Sequence, residues 1–219
     1  ENTNEIGFLC GILKNGVLLP NEASIVLTRS TDFIDKIYIT KKPLSLEKIN
    51  FISTLEKYEK INFLNNICFF PKINKVLQNI ITRADLIVYG SGTPYSSILP
   101  SLLTKNLKSV LIKNPCPKVL ISNLKKESLN SLSTLTLIDD VLSALNKFNN
   151  KSKYTYDNLL THVVVSNKSF NNSEFIPSNI KNIKKKYPKI KIIEADIITD
   201  NNYFTHDGKK LYDVLKNLL

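Results

Sequence analysis

Three features of the sequence predict an α/β fold with a mostly parallel sheet and flanking helices. Short runs of β-formers, such as Leu86-Ile87-Val88-Tyr89 and His162-Val163-Val164-Val165, alternate with segments whose apolar residues recur at helical spacing. One of these runs stops abruptly at Gly90-Ser91-Gly92 and feeds an apolar stretch of helical spacing. The composition is that of a globular protein: 219 residues, 42% hydrophobic and 22% charged. That length buries a full core, and residues 1–219 read as a single α/β domain.

In chain order, Val17–Leu19 and Ala23–Thr28 read as short strands separated by Pro20-Asn21, and Lys36–Thr40 as a third. Pro43 with Ser45 opens a helix through Glu47 and Ile52 towards Tyr58. Ile67–Phe70 is an apolar run closed by Pro71. A helix over Lys72–Thr82 collects Ile73, Val76, Leu77, Ile80 and Ile81 on one face. Strand Asp85–Tyr89 leads into the glycine loop, then a helix over Tyr95–Leu103 that Pro100 kinks. Asn106–Lys113 is helical or turn-like, and Lys118–Asn123 is a strand. Leu135, Ile138, Leu142 and Leu145 mark a helix over Leu135–Phe148, followed by a polar linker, Asn149–Lys153. His162–Val165 and Ile190–Ile193 are buried strands around a polar loop, Asn167–Ser173, and Leu211, Val214, Leu215 and Leu218 stripe a last helix over Asp207–Leu219.

The glycine loop is the main candidate site. A strand that ends in a glycine turn before a helix leaves backbone N–H groups free at the positive end of the helix dipole, which suits a phosphate. Gly90, Ser91, Gly92, Thr93, Ser96 and Ser97 are the candidates, the hydroxyls as further donors to phosphate oxygens. The loop lacks the third glycine of G-x-G-x-x-G, replaced by Tyr95, and it has no Gly-Lys-Ser/Thr. A plain connector with Ser and Thr as helix caps explains the same residues. Asn123 ends a predicted strand, so it faces the same crevice if that strand neighbours the one ending at Tyr89; a turn residue capping the strand is the alternative. His206 and Asp207 precede the last helix; capping by Asp207 is the leading explanation, and a His206 that reaches a phosphate or carries a proton is the alternative. His162 reads as a packed strand residue. No G-x-S-x-G elbow surrounds Ser96 or Ser97, which argues against a serine hydrolase. Asp139-Asp140 point in different directions on a helix and make a poor metal cluster. No residue is assigned as catalytic or as a metal ligand.

The net charge is +11, yet only Arg29 and Arg83 among 30 basic residues are arginine, and nucleic-acid surfaces lean on arginine. No nucleic-acid partner is expected. Cys10, Cys68 and Cys116 are widely spaced and form no metal-binding pattern with the two histidines; buried free thiols are the plain reading. No apolar run approaches the ~20 residues of a membrane span, so no membrane partner and a cytoplasmic location are expected. The sequence contains no Met, even at position 1, and reads as part of a longer chain.

The stretch from Ala84 to Leu103, ADLIVYGSGTPYSSILPSLL, resembles the "ADxIVxGPGTxxSSLxPSxL" segment of the CofD/YvcK superfamily, whose members include 2-phospho-L-lactate transferases and YvcK-type gluconeogenesis factors. Gly16-Val17-Leu18-Leu19-Pro20 is similar to the family's "GxVLP" element, Lys118–Leu124 to its "KVxVxNI" strand, and His206–Leu211 to its "HDxxKL" helix start. The resemblance covers most of residues 11–219 and implies a Rossmann-like, CofD-like fold. The proline of the family's "GPG" is Ser91 here, and its amino-terminal Gly-Gly-Thr-Gly loop and acidic residues have no counterpart. The fold is therefore expected to be incomplete at the N-terminus, with those elements lying before residue 1. For the transferases, the resemblance implies transfer of a phospholactyl group from a nucleotide-activated donor, assisted by Mg²⁺ whose ligands this chain does not identify. For the regulators, it implies binding of a nucleotide sugar without turnover. In both, the partner is a nucleotide-linked small molecule; homo-oligomer formation stays open.

Overall fold

The computed structural model describes residues 2–28, 32–125, 133–147, 155–168 and 174–219. The chain opens with β1 (Phe8–Leu13), β2 (Leu18–Leu19), α1 (Glu22–Leu27) and β3 (Ile34–Thr40), followed by α2 (Leu46–Thr54), α3 (Lys57–Ile67) and α4 (Lys75–Arg83). β4 (Ile87–Tyr89) leads through a π-helical turn, Pro94–Ile98, into α5 (Leu99–Leu102) and α6 (Leu107–Lys113). β5 (Lys118–Ile121), α7 (Thr134–Asn146), β6 (His162–Ser166), α8 (Ile180–Lys186), β7 (Lys191–Ala195) and α9 (Gly208–Lys216) complete it.

The expected parallel sheet is β4-β5-β6-β7, parallel at every pair. Because the strands are added in one direction and crossovers are right-handed, α6, α7 and α8 fall on one face. There Leu120, Val163 and Val165 share a core with Val110, Leu111, Ile138, Val141 and Ile183. The alternate residues Val119, Val164 and Ile193 point the other way, onto Leu211, Val214 and Leu215 of α9 and Leu218 just after it. Burying each such Val on both sheet faces contributes about 1.5–3 kcal/mol. β4 is the sheet's edge, and its Val88 remains 40% exposed.

A second sheet, β2-β1-β3, is antiparallel, an addition to the mostly parallel expectation. Its residues alternate between two cores. Cys10, Ile12 and Tyr38 pack on Ile52 and Leu64 of α2 and α3, whereas Leu13, Ile37 and Ile39 join the main core.

Three local expectations are corrected. Ala23–Thr28 is not a strand: Ala23–Leu27 belongs to α1, because Asn21 accepts the Ser24 N–H at 2.8 Å and so starts that helix, and Thr28 ends it. The helix expected to run to Tyr58 breaks at Leu55, where Glu56 and Glu59 form a capping box that begins α3. The helix expected from Lys72 starts at Lys75, since the Asn74 side chain takes the Leu77 N–H at 2.6 Å. The linker Asn149–Lys153 and most of the loop Asn167–Ser173 lie outside the described residues. Among the described residues no helix is long and apolar enough to cross a membrane.

Candidate functional site

Tyr89 pairs in register with Leu120, so the loop after β4 and the residues after β5 leave the sheet side by side. Asn123 reaches across: its Nδ2 donates to the Gly92 carbonyl at 3.2 Å. The peptide after Gly92 is planar and trans, so holding that carbonyl turns the Thr93 N–H the opposite way. The Asn123 side chain is buried, and its Oδ1 has no hydrogen-bond partner among the described residues. Below it, Ser122 Oγ and Thr134 Oγ1 lie 2.7 Å apart and join the end of β5 to the start of α7.

His206 arrives from the far end of the chain. Its Nε2 lies 3.0 Å from the Ser122 carbonyl, which can only accept, so Nε2 carries the proton. Burial pushes the imidazole below its usual range, against the pull of that carbonyl. It therefore stands as a neutral ring pinning the strand end. Asp207 accepts the Lys209 and Lys210 N–H groups at 2.9 and 3.0 Å and caps α9.

The glycine loop itself is open. Gly90 has nothing within 4 Å of where a Cβ would sit, and a Cβ on Gly92 would meet only the Ser97 side chain at 3.4 Å and more distant atoms. Among the described residues, no acceptor takes the N–H groups of Gly90, Ser91, Gly92 or Thr93. The Thr93 carbonyl takes two amides, Ser97 N–H at 2.9 Å and Ile98 N–H at 3.3 Å, which is the wide π-turn that follows. Ser97 is exposed beside Gly92. Ser96 lines a different cavity of about 580 Å³, with Glu5, Gly7 and Thr104, that does not include the loop. The structure thus joins Gly92, Asn123 and, through Ser122, His206; Ser97 stands beside them, Ser96 faces elsewhere and Asp207 caps a helix.

Sequence reasoning passed over Tyr95. Its hydroxyl donates to Asp140 Oδ2 at 3.2 Å, tying the first turn after the loop to α7. Burial raises the Asp140 carboxyl to about 6 despite that bond. Asp139 points away, to Lys186 at 2.8 Å and the Tyr187 hydroxyl. No spacing signal links residues 45 apart; only the fold brings Tyr95 and Asp140 together. Among the described residues, no group of three or more His, Cys, Asp or Glu converges to hold a metal ion.

A family model described as 2-phospho-L-lactate transferase CofD matches residues 56–199. The gluconeogenesis factor of Bacillus subtilis (strain 168) is 31% identical over 159 residues, covering 64% of this chain and 45% of that protein. Two crystal structures from Bacillus halodurans match in fold, one described as a member of the UPF0052 family and the other as protein BH3568. Their TM-scores are 0.70 and 0.71 at 15% identity, over 98% of this chain and 59% and 60% of theirs. The chain therefore spans between 45% and 60% of the length of these relatives.

Proposed function

The chain belongs to the CofD family, and from that membership we propose that the mouth of β4 and β5 binds the diphosphate of a nucleotide-linked small molecule, from which this domain, acting in the cytoplasm, transfers a phosphate-containing group. The observation that carries the reading is the open loop after β4, where the amides of residues 90–93 have no acceptor among the described residues and Gly90 has free space where a side chain would stand. Backbone N–H groups fixed in place stabilise charge on phosphoryl oxygens without reorganising. Thr93 and Ser97 add hydroxyl donors, and Asn123 fixes the loop through the Gly92 carbonyl. In the transfer, an acceptor hydroxyl forms a new P–O bond in line with the bridging oxygen, which leaves with the nucleoside monophosphate as the hydroxyl proton departs. No step is assigned to a metal ion.

Calorimetry with UDP and GDP tests the site. Gly92→Val is expected to weaken binding at least tenfold with the fold intact, because the side chain blocks the close approach of phosphate to backbone. Unchanged affinity removes the loop from the site. Binding without turnover of a nucleotide-linked phosphodiester favours the second reading, a nucleotide-sugar-binding regulator.

A further inference from the structure

A second cavity of about 480 Å³ opens between β3, the segment containing Tyr95 and α5, and α7. Its size falls within the range of small-molecule pockets. The floor is apolar, made by Ile37, Leu99, Leu103 and Ala144. The rim is charged, and its charges are unevenly satisfied. Asp35 is taken by Lys57 at 2.7 Å, and Asp140 receives the Tyr95 hydroxyl at 3.2 Å. Asn146 accepts from Lys108 at 2.6 Å and donates to the Leu142 carbonyl at 2.8 Å. The two rim lysines differ from these groups. Lys36 from β3 and Lys147 just after α7 form no ion pair among the described residues. Lys147 is steered by aromatic faces, its Nζ lying 5.0 Å from the Phe70 ring centre and 5.7 Å from that of Tyr38. Burial lowers its pKa, Cys68 opposes that and the neighbouring Lys36 adds to it, so an anion between the two ammonium groups relieves their repulsion.

We propose that this cavity is a second ligand site, separate from the glycine loop, that takes a small organic anion: a carboxylate held by Lys36 and Lys147, with an apolar chain or ring lying on Leu99, Leu103 and Ala144. The acids of the rim already accept from Lys57 and Tyr95, whereas neither Lys36 nor Lys147 has a carboxylate partner among the described residues, which selects the sign of the ligand. The floor selects its body. This inference does not rest on the nucleotide reading.

Octanoate, titrated calorimetrically into the full chain, is the probe; acetate supplies the charge without the chain, and octanol the chain without the charge. One octanoate is expected per chain, with acetate and octanol each at least tenfold weaker. The double variant Lys36→Gln, Lys147→Gln alters only the rim and is expected to weaken octanoate at least tenfold. Ala144→Trp fills the cavity and is expected to abolish binding. The proposal is overturned if octanoate fails to bind the parent at millimolar concentration, or if the folded double-lysine variant binds it as tightly as the parent. The double variant decides even if Ala144→Trp does not fold.

Discussion

Gly7 and Gly11 in the antiparallel sheet region and Gly90 at the mouth of the parallel sheet have the same side chain, a hydrogen, for opposite reasons. A Cβ on Gly7 would come within 2.4 Å of Ile39 Cγ2, and one on Gly11 within 3.2 Å of the Lys36 carbonyl. These glycines are demanded by the chain's own packing. Around Gly90 there is nothing within 4 Å, and its φ lies outside the left-handed region, so neither packing nor turn geometry requires it. Gly208, two residues from His206, shares that openness. The lesson is that the packing of the fold accounts for Gly7 and Gly11 but not for Gly90 and Gly208.

The sharpest way to break this comparison is Gly7→Val. Overpacking against Ile39 is expected to destabilise the protein by about 3 kcal/mol, read from the urea midpoint. An unchanged midpoint means that the antiparallel sheet tolerates what its geometry forbids.

A smaller effect tests the seam between the two regions, where Asp140 lies half-buried beside Tyr95. Its folded carboxyl titrates at about 6, above the ordinary 3.8. The contribution is fully present below 3.8 and is lost as pH rises through about 6, because ionising the half-buried group costs more than ionising it in the unfolded chain. Asp140→Asn should therefore stabilise the protein at pH 8 by about 2 kcal/mol and leave it nearly unchanged at pH 3.5. Equal effects at the two pH values remove Asp140 from the low-dielectric seam. Asp196 has the opposite sign: Lys168 and Lys210 hold it down at about 2, so its stabilisation is lost only in strong acid.

The smallest effect on stability sharpens the comparison most. Gly90→Ala should raise stability by about 0.5 kcal/mol, since it trims the freedom of the unfolded chain at a backbone angle that Ala accepts. The same change should lower UDP affinity at least threefold. A variant that is both more stable and equally good at binding UDP assigns the loop's openness to chance.

Much of the parallel half is legible in the sequence. β5 and β6 are covered on both faces, so they appear as nearly continuous apolar runs, whereas the edge strand β7 leaves Lys191 and Glu194 exposed and shows itself only by Ile192-Ile193. The glycine loop, and Asn123 at the end of its neighbour strand, follow from that reading. β1 was harder to see, because Gly11 and Cys10 interrupt its β-formers and its pairing with β3 is set by residues more than twenty positions away. α1 is only six residues long, too short to show a helical period, and its Ile25-Val26-Leu27 favours a strand until Asn21 caps it. The cavity over Ile37 and Ala144 is illegible for a different reason. Its charged groups come from two segments distant in sequence, β3 and the α7 region, and which of them have partners depends on groups such as Lys57 and Tyr95 that only folding supplies.

The grip of His206 on Ser122 has a consequence for synthesis. The ribosome delivers β4, β5, β6 and β7 before α9. The sheet thus emerges with Val119 and Val164 bare on one side and the tip of β5 unfastened. Exposed strands of that kind invite chaperones and mispairing. The nascent sheet is therefore at its most vulnerable just before α9 covers that face and His206 fastens the end of β5.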